Sequence, residues 1–398
     1  MRGQADALVS ELLSLVDKHE EWRGKQTINL NPAENVASPV VRRLLATDLG
    51  NRYTAPDRFY QGTRYMDEVE ALGVEVAKRV FGARYADLRP LSGHMAAMIV
   101  IMSLLRPGEK FCAVAPEDGG YPGYSHLGLP RLTGHRPIYL PYDRERMTID
   151  APRAVSLLQS ERPALCIFGA SFIPFRQPVG EIAGRTQVPC VYDGSHVLGL
   201  IAGGQFQRPL AEGCGVLYGS THKSLWGPQG GLILADSEPM FTRIHSSIHP
   251  ALVDNAHWNR IAALTYALIE SLQFGPAYAR QVVRNSRALA KALHELGVPV
   301  RGAEHGFTES HQVIIDRRGP DVARWPRMLE EADIIVDNGI RLGTSEVTRL
   351  GMGEAEMEEI ASIFTDVVLG RVEAHKARER VRKLRSQFQE IRYTFEGP

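Results

Sequence analysis

The sequence predicts an α/β protein, built on a mostly parallel sheet with helices on both faces and a smaller α+β unit at the C-terminus. Three observations carry this. Short apolar runs alternate with segments of helical spacing through the middle of the chain, the pattern of strands joined by crossover helices. The chain has 398 residues and 44% hydrophobic content, enough for one large core and a second, smaller one. Polar side chains suited to catalysis (Ser171, Asp193, His196 and Lys223) fall just after predicted strands, where ligands bind such sheets.

Each element has its own warrant. Residues 5–22 carry Leu8, Leu12, Leu13, Leu15 and Val16 at helical spacing, an amphipathic arm suited to docking on a partner subunit or on its own domain. Thr27 to Asn35 reads as extended, and Ser38-Pro39 opens a helix with proline in its first turn. Glu34 and Asn35 stand at that junction, a usual place for substrate contacts. Asn51 to Tyr65 has turn residues and little periodicity and reads as a loop; Asp67 to Phe81 is helical. Leu91-Ser92-Gly93-His94 leads into the apolar helix 95–105. Small residues at a helix start bare backbone N–H groups, so this is a phosphate site or a plain N-cap. Strands are expected at 111–115, 136–142, 164–169 and 188–192, with a loop at Gly119-Gly120-Tyr121 and a helix at 151–160. After the strand–loop–strand stretch Leu217 to Asp236, helices are expected at 260–272 and 277–296 and strands at 311–316 and 334–337. A strand-like piece follows at 339–344, then helices at 324–332, 354–369 and 371–388 in their chain positions, the last charged and solvated. The division this implies is an N-terminal arm over 1–40, a large domain over 41–276 and a small domain over 277–398.

Forty-six basic residues balance 46 acidic ones, so charge gives no argument for a nucleic-acid or anionic-membrane partner. Neither a signal peptide nor an apolar run of membrane-spanning length is evident, and a cytoplasmic protein is expected. Cys112, Cys166, Cys190 and Cys214 have no metal or redox spacing and are expected to be buried thiols; no metal site is expected.

The chemistry centres on Lys223. A lone loop lysine is ordinarily a surface residue. This one lies between apolar strands among small and glycine residues, the setting for a desolvated amine that attacks a carbonyl. Thirty positions earlier, Asp193 ends a strand. An aldehyde-accepting lysine and an anion for a ring nitrogen are what pyridoxal 5'-phosphate requires. Ser92, Gly93, His94 and His222 offer donors for its phosphate, and Arg341 a guanidinium fork for a substrate carboxylate.

These residues also carry a family resemblance. Thr221-His222-Lys223-Ser224-Leu225-Trp226-Gly227-Pro228-Gln229-Gly230-Gly231 resembles the signature of serine hydroxymethyltransferases. Asn31 to Pro39, Asn51-Arg52-Tyr53, Phe59-Tyr60-Gln61-Gly62, Leu91-Ser92-Gly93, Asp193-Gly194-Ser195-His196 and Gly339 to Thr344 are similar to further family motifs, in order, from about 29 to 361. The resemblance implies a fold-type I, aspartate-aminotransferase-like enzyme that binds pyridoxal phosphate and a small amino-acid substrate. It implies a homodimer with active sites shared between subunits. Lys223, Tyr60, Glu34 and Tyr121 would then form the catalytic set. Ser92, Gly93, His94, Tyr121, Ser171, Asp193, His196, His222 and Lys223 would hold the cofactor, with Tyr53 reaching the neighbouring subunit's phosphate. Arg341, Glu34 and Tyr60 would bind substrate.

The chain departs from the family on the folate side of the site. Tyr121 stands where the family stacks a histidine on the cofactor ring; its ring stacks as well, but its hydroxyl titrates far higher. Ala55 replaces a glutamate two positions after Tyr53, with Asp57 the nearest substitute. Only Val336-Asp337-Asn338 precedes Gly339, where the family has a longer loop that helps hold the pteridine. The expectation is therefore hydroxymethyl transfer or aldol and retro-aldol chemistry at Cα–Cβ of a β-hydroxy amino acid, with tetrahydrofolate use left open. Two alternatives stay open: another reaction on the same scaffold (aminotransferase, racemase or decarboxylase), and an idle pyridoxal-phosphate-binding partner subunit.

Overall fold

Seven strands at the centre of the computed structural model, which describes residues 2–54, 59–316, 318 and 322–395, set out the site. In chain order they are β1 (Tyr85–Asp87), β2 (Lys110–Ala113), β3 (Arg136–Tyr139), β4 (Leu165–Phe168), β5 (Cys190–Asp193), β6 (Val216–Ser220) and β7 (Gly231–Ala235). They lie side by side in the order β1-β7-β6-β5-β4-β2-β3. Every pairing is parallel except the two made by β7, which runs antiparallel to β1 and β6. The antiparallel step exists because β6 and β7 are joined by the short lysine loop, too short for a crossover helix.

Side-chain alternation divides the sheet between two cores. Leu165 and Ile167 of β4 join Phe111, Val191, Val216 and Ile233 beneath the apolar helix Gly93–Leu104. Cys166 and Phe168 of the same strand join Cys112, Cys190, Leu217 and Leu232 on the opposite face, against the helix Trp258–Glu295. Cys112, Cys166 and Cys190 are register partners across β2, β4 and β5, and all four cysteines are free and buried. A separate apolar cluster gathers Ile28 and Leu30 with Leu289, Leu293, Ile334, Leu342, Ile360, Phe364 and Val381. Ile28–Asn29 pairs in parallel with Ile334–Ile335, so the segment after the N-terminal helix is stitched into the C-terminal unit.

Two expectations need correction. The helices expected at 260–272 and 277–296 are one continuous helix of 38 residues, Trp258–Glu295, with Pro276 inside it. Gly275-Pro276 signals a break, but Pro276 lies on the exposed side, where water can satisfy the carbonyl it leaves unpaired. The charged C-terminal helix, Ala374–Arg385, is not simply solvated. Ala377, Val381 and Leu384 are buried in the second core, an apolar stripe masked in sequence by seven flanking Arg, Lys and Glu positions. The N-terminal helix spans Arg2–Glu21, and every described side chain from Gln4 to Glu21 is exposed. Among the described residues no helix is long and apolar enough to cross a membrane.

Candidate active site

The carboxyl ends of β4, β5 and β6 meet the N-terminus of the helix Gly93–Leu104 around one pocket. It is lined by Gly93, His94, Tyr121, Ala170, Ser171, Asp193, Ser195, His196, Ser220 and Lys223. Seven of the expected site residues therefore converge: Gly93, His94, Tyr121, Ser171, Asp193, His196 and Lys223.

The loop between β6 and β7 fixes Lys223 by its backbone. Its carbonyl accepts from Asn35 Nδ2 (2.9 Å) and from the Trp226 N–H (3.3 Å). Thr221 closes the loop, donating from Oγ1 to the Pro228 carbonyl at 2.6 Å. The ammonium is disfavoured by burial and, secondarily, by Arg341, against the opposing pull of Asp193; its pKa is pushed down to about 8. The result is an amine that is neutral often enough to be a nucleophile.

His196 stands beside it, with Nε2 3.2 Å from Lys223 Nζ. Gln312 sets the tautomer. Its Oε1 accepts from the Ile173 N–H at 2.8 Å and its Nε2 donates to the Ser171 carbonyl at 3.0 Å, so the same Nε2 donates to His196 Nδ1 at 3.2 Å. Burial, then the cations Lys223 and Arg341, hold the imidazole well below its usual range, hence neutral with its proton on Nε2. Asp193 accepts from the Tyr124 hydroxyl (2.6 Å) and the Ser195 N–H (3.0 Å), and Tyr218 hydrogen-bonds Tyr124 behind it (2.7 Å). These bonds orient a carboxylate at the base of the pocket.

Ser92 acts as the N-cap of the helix, its Oγ accepting from the Met95 N–H at 3.0 Å. The Gly93 and His94 N–H groups precede the first intrahelical bond. Gly93 cannot be replaced cheaply: a Cβ there would lie 2.0 Å from Ser220 Oγ. Nearby, His222 Nδ1 is buried with no hydrogen-bond partner, and burial followed by Lys223 lowers this histidine to about 4. Bare N–H groups at a helix N-terminus packed on Ser220, with an orphaned buried ring nitrogen two residues further along the chain, together fit an anionic group such as a phosphate.

Arg341 enters from the small unit. It bonds Asp337 Oδ2 through Nε at 2.6 Å, donates from Nη1 to the Ser171 carbonyl, lies 3.3 Å from His196 Nε2 and stacks its guanidinium over Phe172. The short 336–338 segment thus serves to clamp the arginine. The Tyr121 hydroxyl lies 2.8 Å from His94 Nδ1, within hydrogen-bonding distance; burial, then Asp193, raises that hydroxyl above the ordinary tyrosine range.

Three expected residues stand apart in the single chain. Glu34 is held by Arg23, Asn29 (2.8 Å) and Asn31 (2.9 Å) and does not line the pocket. Tyr53 and Tyr60 pack edge-to-face at 4.7 Å on an exposed surface, Tyr53 bonding Asp254. Ala55 and Asp57 lie outside the described residues. Sequence reading gave no role to Ser195, Ser220, Tyr124, Gln312 and Asp337, and it placed Asn35 at the substrate rather than beneath the Lys223 carbonyl. Ser195 and Ser220 had a signal, since both lie within or beside the motifs of Asp193 and His222; the others are recognisable only through contacts between distant segments.

Comparison with known proteins adds to this geometry. The sequence pattern of the family described as serine hydroxymethyltransferase matches residues 5–364. The serine hydroxymethyltransferase of Methanopyrus kandleri is 41% identical over 97% of this chain and 95% of its own. That of Methanocaldococcus jannaschii is 42% identical over 95% and 94%. An L-threonine transaldolase from Pseudomonas fluorescens, solved in its internal aldimine state, superposes with a TM-score of 0.91 at 28% identity, covering 99% of this chain and 95% of that one.

Proposed function

The chain belongs to the serine hydroxymethyltransferase family, pyridoxal-phosphate enzymes acting at the Cα–Cβ bond of hydroxy amino acids, and we propose the role of each residue in that activity here. The observation that carries the reading is Lys223: a buried amine, lowered to about 8, set among Asp193, His196 and Arg341. When bound, pyridoxal phosphate supplies an aldehyde that a primary amine joins and a protonated ring that withdraws electrons from Cα.

Lys223 would hold the cofactor through its amine. Asp193, fixed by Tyr124 and Ser195, would keep the ring nitrogen protonated, and His196 would donate from Nε2 to the ring oxygen. The Gly93 and His94 N–H groups, His222 Nδ1 and the Ser92 hydroxyl would receive the phosphate, and Tyr121 would cover the ring face. Arg341 takes the substrate carboxylate, already oriented by Asp337 and Phe172. Serine, glycine and bulkier β-hydroxy amino acids form the substrate class. Tyr53, Tyr60 and Glu34 act across the interface of a homodimer; the exposure of both tyrosines on the free chain supports this. The shortened 336–338 segment, tied up by the Asp337–Arg341 ion pair, and Ala55 support a cleavage that does not depend on tetrahydrofolate.

The test is direct. Adding pyridoxal phosphate to the wild-type chain should give a visible lysine-bound absorbance band, and Lys223→Ala should lack it. Serine and β-phenylserine should release aldehyde at a rate indifferent to tetrahydrofolate. A band persisting in Lys223→Ala defeats the assignment, and folate-stimulated turnover defeats its folate-independent part.

A further inference from the structure

We propose that His94 and Tyr121 form a proton-relay pair that removes the β-hydroxyl proton of the substrate, an inference that rests on the reading above and adds its missing base. The pair is defined by position. Tyr121 OH and His94 Nδ1 are 2.8 Å apart and both side chains line the lysine pocket. His94 makes no other side-chain hydrogen bond among the described residues, so its Nδ1 is committed to this partner alone.

The tyrosine is wedged rather than mobile. Its ring crosses Tyr124 edge-to-face at 5.3 Å, and a Cβ on Gly123 would lie 2.3 Å from its Cε1. The backbone entering it is pinned as well, since a Cβ on Gly120 would fall 1.9 Å from the Val114 carbonyl oxygen. The other titratable groups of the pocket are already engaged. Asp193 accepts from Tyr124 and Ser195, His196 is fixed by Gln312, and Ser195 Oγ accepts from the Ser220 N–H at 3.1 Å. Lys223 is the cofactor's anchor. The histidine absent from position 121 is thus supplied by position 94, one hydrogen bond behind the ring.

The step balances without a co-reactant. The proton of the β-hydroxyl passes to the Tyr121 oxygen as Tyr121 gives its own proton to His94 Nδ1. The freed oxygen pair closes the carbonyl, Cα–Cβ breaks, and its electron pair stays with Cα. The aldehyde leaves, Cα takes a proton from the Lys223 amine, and the proton held on His94 passes to water, from which Lys223 regains its own; the product is the shortened amino acid. Loss of a positioned base of this kind costs on the order of 10²–10⁴-fold in rate.

The experiment compares two reactions of the holoenzyme. Benzaldehyde release from β-phenylserine needs the β-hydroxyl proton removed; deuterium exchange at Cα of glycine uses Lys223, the cofactor and Arg341 but offers no such hydroxyl. His94→Ala and Tyr121→Phe should each lose about 10²-fold or more in aldehyde release. Measured at saturating cofactor, the ratio of aldehyde release to glycine exchange should fall by about 10²-fold in each variant, and the double variant should show no larger fall than the worse single one, as for residues acting as a unit. Aldehyde release at the wild-type rate in His94→Ala overturns the pair. So does a parallel fall of both reactions, which marks a structural role. A wild-type chain that neither takes up the cofactor nor exchanges glycine overturns the underlying assignment and the pair with it.

Discussion

Lys223 shows how much a single side chain is asked to tolerate before the cofactor arrives. With the folded pKa near 8 and the unfolded value at 10.5, the fold disfavours the ammonium. About one amine in ten is then neutral at pH 7, against fewer than one in a thousand for a free lysine. The same displacement is a stability statement. A depressed lysine pKa means stability present above about pH 10.5 and lost as pH falls through about 8, a cost at neutral pH of about 3 kcal/mol at most. Lys223→Met should therefore make the cofactor-free protein more stable at pH 7, by about 1–3 kcal/mol in urea unfolding, and the advantage should vanish by about pH 10.5. A variant less stable than wild type at pH 7 would show that the ammonium is well accommodated, and that the amine is not primed in the way its burial indicates.

The lysine loop is the element where legibility from sequence and its limit meet. Lys223, His222 and the glycines of 227–231 are visible because the local order of small, apolar and basic residues defines a strand–loop–strand with one buried amine. Asp193 and His196 are visible for the same reason, as a polar cluster ending an apolar run. What supports the loop is not local. Trp226 is fully buried; its Nε1 donates to Glu270 at 3.1 Å on the long helix, and Arg349 of the C-terminal unit lies over its ring and bonds Glu270 at 2.9 Å. Both members of that ion pair have fully buried side chains. No periodicity or spacing could foretell this arrangement, because Trp226, Glu270 and Arg349 lie on three separate elements and each reads alone as an ordinary helix or loop residue. The continuity of Trp258–Glu295 through Pro276 escaped for a related reason: which side of a helix faces water is decided by the whole fold. Removing one charge from such a pair leaves the other buried and uncompensated. Glu270→Ala should cost about 3–5 kcal/mol of stability, whereas the double variant Glu270→Leu, Arg349→Met should recover most of that loss. Calorimetric unfolding of the three proteins checks this, and a single variant within 1 kcal/mol of wild type would show that water or the Tyr393 carbonyl, which already accepts from Arg349 Nη1, takes over the partner's role.

At the scale of the whole molecule, the N-terminal helix bears on the homodimer proposed above. Leu8, Leu12 and Leu15 form one i, i+4, i+7 stripe and Val9, Leu13 and Val16 the next, and all six are 49–62% exposed. Adjacent apolar stripes left uncovered along a 20-residue helix are an interaction surface rather than scattered surface leucines. Covering them gains on the order of 1 kcal/mol for each half-exposed side chain. The second core takes up Ile28 and Leu30 directly after this helix, so the arm is anchored at its base while its apolar face stays free to meet another subunit. The homodimer proposed above places that face on the partner and brings the exposed Tyr53–Tyr60 pair toward the partner's site. Leu12→Glu with Leu13→Glu puts a charge into each stripe. By sedimentation it should convert the dimer to monomer at micromolar concentration while leaving the helical content of each chain unchanged. Cleavage of β-phenylserine should fall with the dimer population, because a monomer keeps Lys223 and Arg341 but lacks what the second subunit contributes. A double variant that remains dimeric would place the interface elsewhere, and a monomer that cleaves at the full rate would show that each site is complete within one chain.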